Sequence, residues 1–291
     1  MLNLFALTDD PASRVVRFSL SQEVQSELTP FLQNQEMQFT NSIDQEIAFD
    51  GKYKPDSGQA LVIANFDDID GLSIVIRNPL SVAEVVASPE VFQIIKALFT
   101  GYIDQSGGVT ILIQHFDKRK IISTNGLSIF HSANVYKKIE GIGLTIDSKL
   151  TAILKDGSLK FFSFHLLRQI FDMSEYYKEA TDSDIDDFAS LQLITADSLP
   201  NLISISDTWV RRKFSLIQQS QILENVPLND IKAVAAEFNI PLATTTADGI
   251  EKIVLPGNKA DLKTLLRFLD EDYYKSPLSK TQYITNSKRV A

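Results

Sequence analysis

Residues 143–162 read GLTIDSKLTAILKDGSLKFF. Three short apolar runs, Gly143–Ile146, Leu150–Leu154 and Leu159–Phe162, are separated by polar turn residues. Lys155-Asp156-Gly157-Ser158 is hairpin chemistry, because Asp-Gly tolerates the positive φ that a tight two-residue turn needs. Working outward, Val109–Gln114, Lys120–Thr124 and Leu127–Phe130 have the same texture. The spacing predicts an antiparallel meander between Gly107 and Phe164.

Upstream of it, residues 1–7 (MLNLFAL) read as a first strand and Arg14–Phe18 as a second. The opening run is too short and lacks the basic leader for a signal peptide. Ser21 is placed to cap a helix whose Val24, Leu28, Phe31 and Leu32 share a face and which is expected to end near Asn34. Turn residues 50–58 precede a buried strand at Ala60–Ala64. Ser88-Pro89-Glu90 has the form of a helix start, so the apolar positions Val91, Ile94, Ile95, Leu98 and Phe99 predict a helix over Pro89–Thr100.

Downstream of Phe164 helical spacing takes over, through Leu167, Ile170, Ile185 and Phe188. Later helices are expected at Asp207–Leu223, Leu228–Phe238 and Lys259–Leu269, with a strand at Lys252–Leu255. The predicted fold class is α+β. A mixed lobe over 1–165 carries the antiparallel meander, and a mostly helical lobe over 166–291 closes on it.

With 291 residues, 44% hydrophobic and 22% charged, the chain has the composition of an ordinary globular protein. It has no cysteine, which excludes disulfides, thiolate nucleophiles, iron–sulfur clusters and cysteine-based zinc sites, and which suits a cytoplasmic location. No apolar run approaches the roughly 20 residues that cross a bilayer. The formal charge of -9 excludes a uniformly basic surface but permits a local basic patch.

Searched for chemistry, the sequence yields no catalytic motif and no cofactor-binding motif. His115, His131 and His165 are too far apart for a local metal motif. Gly141-Ile142-Gly143 lacks the third glycine of a dinucleotide turn, and no Gly-Lys-Ser/Thr phosphate loop exists. The acidic run 182–187 has Asp187 where a calcium loop requires glycine, so it reads as a helix N-terminus with Ile185 and Phe188 facing inward. Asp147-Ser148-Lys149 matches half of a metal-dependent nuclease site, for which Glu140 is the nearby upstream acid.

Positive charge clusters at Lys118-Arg119-Lys120 and at Arg211-Arg212-Lys213, and Lys280, Lys288 and Arg289 lie in an acid-free tail. Such clusters suit phosphates, which reward Lys and Arg regardless of base sequence. On the second cluster's helix Val210, Phe214 and Ile217 form an apolar stripe, so Arg211, Arg212 and Ser215 are expected to face solvent. Trp209, at the start of that helix, reads as a core anchor.

Two segments resemble a known family. Phe171-Asp172-Met173-Ser174-Glu175-Tyr176-Tyr177-Lys178-Glu179 follows the meander. Near the end come Asp270-Glu271-Asp272-Tyr273, Ser276-Pro277-Leu278-Ser279, Tyr283 and Ser287-Lys288. Both are similar to the KwaB-like family of the Kiwa anti-phage defence system. The resemblance implies a cytoplasmic defence component that acts beside a KwaA-like membrane partner and binds DNA of the phage. It carries no catalytic signature to transfer. The candidate phosphate contacts are therefore Arg211, Arg212, Lys213, Lys118, Arg119, Lys120 and Lys288. A metal-dependent nuclease and a non-catalytic structural adaptor are the competing readings, and self-association into a homo-oligomer is expected on size alone.

Overall fold

A computed structural model describes residues 2–67, 71–122, 128–132, 134–139, 141–247, 249–285 and 287–289. The chain forms two compact units. One comprises Met1–Phe49 and Pro55–Asp172, the other Asp50–Lys54 and Met173–Ala291. The fold is α+β with mixed sheets.

The first unit contains β1 (Phe5–Thr8), β2 (Val15–Arg17), α1 (Gln22–Asn41), β3 (Gln45–Ala48), β4 (Gln59–Ile63), α2 (Leu72–Arg77), α3 (Pro89–Gln93), β5 (Ile95–Ile103) and β6 (Val109–His115). It continues with β7 (Ile121–Ile122), β8 (Ile129–Ser132), β9 (Val135–Lys138), β10 (Gly143–Leu144), β11 (Ala152–Lys155), β12 (Ser158–Phe161) and α4 (Phe164–Leu167). Eight strands make one sheet in the order β2-β1-β5-β6-β11-β12-β4-β3. All its pairs are antiparallel except β3 with β4.

Both faces of this sheet are covered. Leu28, Leu32 and Phe39 of α1 pack with Ala6, Leu98, Leu112 and Ile153. On the opposite face Phe5 stacks on Phe99 at 5.2 Å between ring centroids. Apolar side chains on both faces produce a continuous apolar run rather than alternation. For this reason Ile95–Thr100, expected to continue the helix from Pro89, is strand: α3 stops at Gln93 and β5 begins at Ile95. Helical and two-sided strand spacing coincide over so short a stretch, and pairing with β1 and β6 decides between them.

The expected meander is also corrected. Only β6, β11 and β12 are neighbours in the main sheet, joined through the Asp156-Gly157 turn, both of whose residues have positive φ (50° and 72°). The described residues between β6 and β11 pair outside the main sheet and make up an arm. β7 pairs with β10 at its base, and β8 pairs with β9 as a hairpin beyond it. Ile121, Ile142, Leu144 and Ile146 anchor that base on the core. Parts of the expected strands Lys120–Thr124 and Leu127–Phe130 lie outside the described residues.

Helix α1 starts at the Ser21 cap, whose hydroxyl accepts from the Val24 N–H. It passes through Pro30 to Asn41, beyond the expected end near Asn34. Gln35 accounts for the extra turns: it is buried, and its Nε2 donates to the Asp147 carbonyl at 2.9 Å. Gln114 donates to the same carbonyl and to Gln35 Oε1.

The second unit contains α5 (Asp182–Ala189), β13 (Ile194–Ala196), α6 (Leu199–Ile205), α7 (Thr208–Ser220), α8 (Ile222–Asn225), α9 (Leu228–Glu237), β14 (Thr244–Ala247), β15 (Ile250–Leu255), α10 (Lys259–Leu269), β16 (Tyr273–Lys275) and β17 (Gln282–Ile284). β15 lies between β13, parallel to it, and β14, antiparallel. The core gathers Ile185, Phe188, Val210, Phe214, Ile253, Leu262 and Leu266. The acidic run forms the start of α5, where Thr181 and Asp184 make a reciprocal capping box.

Candidate functional site

Helix α7 begins at Asp207, whose carboxylate accepts from the Val210 N–H at 2.9 Å and pairs with Lys259 and Lys263 at 3.0 and 2.8 Å. Burial pushes the Asp207 carboxyl up, but the hydrogen bonds from Lys263, the Val210 N–H and Lys259 outweigh it and hold the group well below the usual carboxylate range. The apolar stripe Val210, Phe214 and Ile217 faces the core as expected. Of the expected solvent face only Arg211 is partly exposed; Arg212 is 5% exposed and Ser215 2%, and the neighbouring Lys213 is 6% exposed.

Lys213 is buried because its charge finds partners far along the chain. Lys213 Nζ lies 2.6 Å from Asp270 Oδ2 and 2.5 Å from Asp272 Oδ2, with all three side chains buried. Lys288 Nζ closes on the same acids at 3.3 Å from Asp270 Oδ2 and 3.1 Å from Asp272 Oδ1. Two ammonium groups and two carboxylates thus form a compensated quartet joining α7, the end of α10 and the C-terminal segment. Trp209 sits partly buried against the core, with Lys213, Lys263 and Arg267 each 5.3–5.4 Å from its ring centroid. It is a core anchor wrapped in cations.

Arg212 is held differently. Its guanidinium lies 4.0 Å over the Tyr177 ring, and Nη1 donates to the Lys178 carbonyl at 3.0 Å. Burial lowers its pKa, against the opposing pull of Tyr177, Asp270 and Asp50. Gly51, at φ 72°, comes so close that a Cβ there would stand 2.2 Å from Arg212 Nη2. Around Arg212, Lys213 and Lys288 is a cavity of about 200 Å³, also lined by Gly51, Lys52, Tyr177, Trp209, Asp270 and Asp272. Arg211 stands outside the cavity. It pairs with Asp182 at 2.6 Å and donates to the carbonyls of Ala180 and Ser206.

The remaining cluster belongs to the first unit. Lys118, Arg119 and Lys120 form a 3-10 turn at the base of the arm, capped by Asp117. Lys118 is exposed, and Arg119 pairs with Asp117 at 2.5 Å while its side chain stays 89% exposed. Hydrogen bonds from Arg119 bring the Asp117 carboxyl down to about 2. Lys120 pairs with Asp147 at 2.5 Å, which lowers the Asp147 pKa. The nuclease half-motif is thereby committed to the fold, its carboxylate to Lys120 and its backbone carbonyl to Gln35 and Gln114. Lys149 is exposed, and Glu140 lies outside the described residues.

Further along the arm, Tyr136, Lys137 and Lys138 on β9 are all exposed, Tyr136 by 73%. Strand alternation puts Tyr136 and Lys138 on one face, beside their partners His131 and Ile129, and Lys137 on the other. Lys137-Lys138 is a shorter run than the other two basic clusters and so stands out less in the sequence. The signal was present nonetheless. Residues 117–149 hold six Lys and Arg against Asp117, Glu140 and Asp147, in a chain of net charge -9.

A family model described as Kiwa protein KwaB-like matches residues 104–279, more than half of the chain. The chain belongs to the KwaB-like family. The match takes in the whole arm, α7 and the acids Asp270 and Asp272. Membership in the KwaB-like family carries a role in Kiwa anti-phage defence. No curated protein and no solved structure matches the chain.

Proposed function

We propose that the chain serves Kiwa defence by holding nucleic acid through its phosphates, with the arm between β6 and β11 as the contact surface. The observation that carries this reading is the arm's charge. Lys118, Arg119, Lys137 and Lys138 are exposed on it, next to an exposed tyrosine, while the chain as a whole is acidic. Lys and Arg that meet phosphates release condensed counterions, so such binding is independent of base sequence and falls steeply with salt. An exposed aromatic beside them adds a stacking surface for unpaired bases.

Lys120 contributes as the partly exposed base of the patch, and Arg211 as a secondary contact with 24% of its side chain accessible. Arg212, Lys213 and Lys288 stand outside this reading because their cationic groups serve the buried cavity. No helix among the described residues is long and apolar enough to cross a membrane. Membership in the family supports partnership within a defence system, and the reading takes a KwaA-like membrane protein as that partner, with the chain on the cytoplasmic side and assembled with copies of itself.

Fluorescence anisotropy of the full chain on two duplexes of unrelated sequence, across a salt series, tests the proposal. Equal affinities that weaken together as salt rises are expected. No binding at low salt, or binding insensitive to salt, would overturn it.

A further inference from the structure

The cavity beside α7 is lined by a buried guanidinium that Asp270 and Asp50 act on only from beyond ion-pair distance. Among the described residues, Arg212 makes no ion pair, and its Nε is a buried donor with no hydrogen-bond partner. Of the five other charges lining the cavity, Lys213 and Lys288 are closed on Asp270 and Asp272, which leaves Lys52. Desolvating a guanidinium without an anion is costly, and an orphaned buried N–H adds the full desolvation of that donor. The residues that hold it in place use other parts of the group: Tyr177 covers its face and the Lys178 carbonyl takes Nη1.

We propose that the cavity binds a small phosphate-class oxoanion, with Arg212 as its principal ligand and Lys52 as a second. Arg212 lines the cavity, and a guanidinium is a preferred partner for phosphate oxygens. The Gly51 backbone packs against Nη2, where a Cβ would stand 2.2 Å away, so the guanidinium reaches the cavity wall only because residue 51 has no side chain. Lys52 lines the same cavity and has no ion pair among the described residues. Counting Lys52, Arg212, Lys213 and Lys288 against Asp270 and Asp272, the wall carries a net charge of +2, which Asp50, also acting on Arg212, lowers to +1. The cavity of about 200 Å³ has the volume of roughly six or seven waters, enough for a phosphate group and its residual hydration. The anion is either free phosphate or the terminal monoester of a nucleotide. The site is independent of the arm and of the nucleic-acid reading.

Thermal unfolding of the full chain with sodium phosphate, against sodium chloride at matched ionic strength, reads the site directly. Wild type is expected to show a saturable rise in Tm with phosphate and none with chloride. Arg212→Gln should abolish the rise. Lys52→Gln, a change at a half-buried and unpaired side chain, should weaken the apparent affinity about tenfold, the weight of one charge-assisted hydrogen bond. A 5′-phosphorylated dinucleotide separates the sources: a response to it alone assigns the terminal monoester, and an equal response to inorganic phosphate assigns the free ion. If Arg212→Gln does not fold, Lys52→Gln and broadening of the phosphorus NMR line by wild type carry the test. An unchanged rise in the variants, or no rise with either phosphate compound, would overturn the proposal.

Discussion

Lys213 and Asp272 form an ion pair of 2.5 Å between two buried side chains, in a region the local sequence marks as an exposed basic helix. Removing one partner of such a pair leaves an uncompensated charge in a desolvated site, which costs far more than the pair contributes. Lys213→Met is expected to lower the unfolding free energy by about 3–5 kcal/mol. Combining it with Asp272→Asn should recover part of the loss, because the second change removes one of the stranded carboxylates. Urea denaturation of the singles and the double checks both the size and the sign of the coupling.

Lys288 is the more exposed ammonium of the quartet, with a quarter of its side chain accessible. Lys288→Ala should therefore destabilise less than Lys213→Met. It also releases a local anchor, since the Lys288 N–H donates to the Lys52 carbonyl and Ser287 Oγ accepts from the Lys54 N–H. Limited proteolysis should then cut within the last residues before any cut appears in α7.

The Asp207 carboxyl has its pKa depressed in the folded chain, so its contribution is complete above the unfolded value of about 4 and is lost as pH falls through the folded value. Asp207→Asn keeps an acceptor for the Val210 N–H while removing the charge that Lys259 and Lys263 meet. The variant is expected to be less stable than wild type at neutral pH and to approach it below about pH 4. Denaturation midpoints at a series of pH values give the comparison.

Gly157 has φ 72° in the β11–β12 turn, with nothing near its Cα to clash with a methyl group. Gly157→Ala should cost about 1 kcal/mol from backbone conformation alone. Thermal unfolding measures it, and because the side chain meets open space, no packing effect obscures the value.

How far these features could be read in the sequence depended on whether their causes were local. Helix α10 occupies Lys259–Leu269, the span that its spacing predicts, and the Asp156-Gly157 turn follows from the conformational tolerance of two adjacent residues. Ile95–Thr100 has apolar positions that satisfy both the helical and the strand period, and only pairing with β1 and β6 separates them. The same limit applies to the site. Asp270 and Asp272 stand 57 and 59 residues from Lys213, beyond the reach of helical periodicity, so an inward-facing lysine looked like a solvated one. Gly51 lies further still from Arg212 along the chain, and its role emerges only from proximity. The arm was hidden for the opposite reason. Its short strands resemble those of the sheet, and their register alone shows that they leave it.

The arm, and not the buried cluster on α7, is proposed to meet nucleic-acid phosphates. Salt dependence of duplex binding measures it most directly, comparing wild type with Lys118→Gln/Lys137→Gln/Lys138→Gln and with Arg212→Gln. Each lost phosphate contact should reduce the slope of log affinity against log salt by about 0.9, so the arm variant should lose roughly two to three units while Arg212→Gln keeps the wild-type slope. An unchanged slope in the arm variant, or a loss confined to Arg212→Gln, would contradict the account.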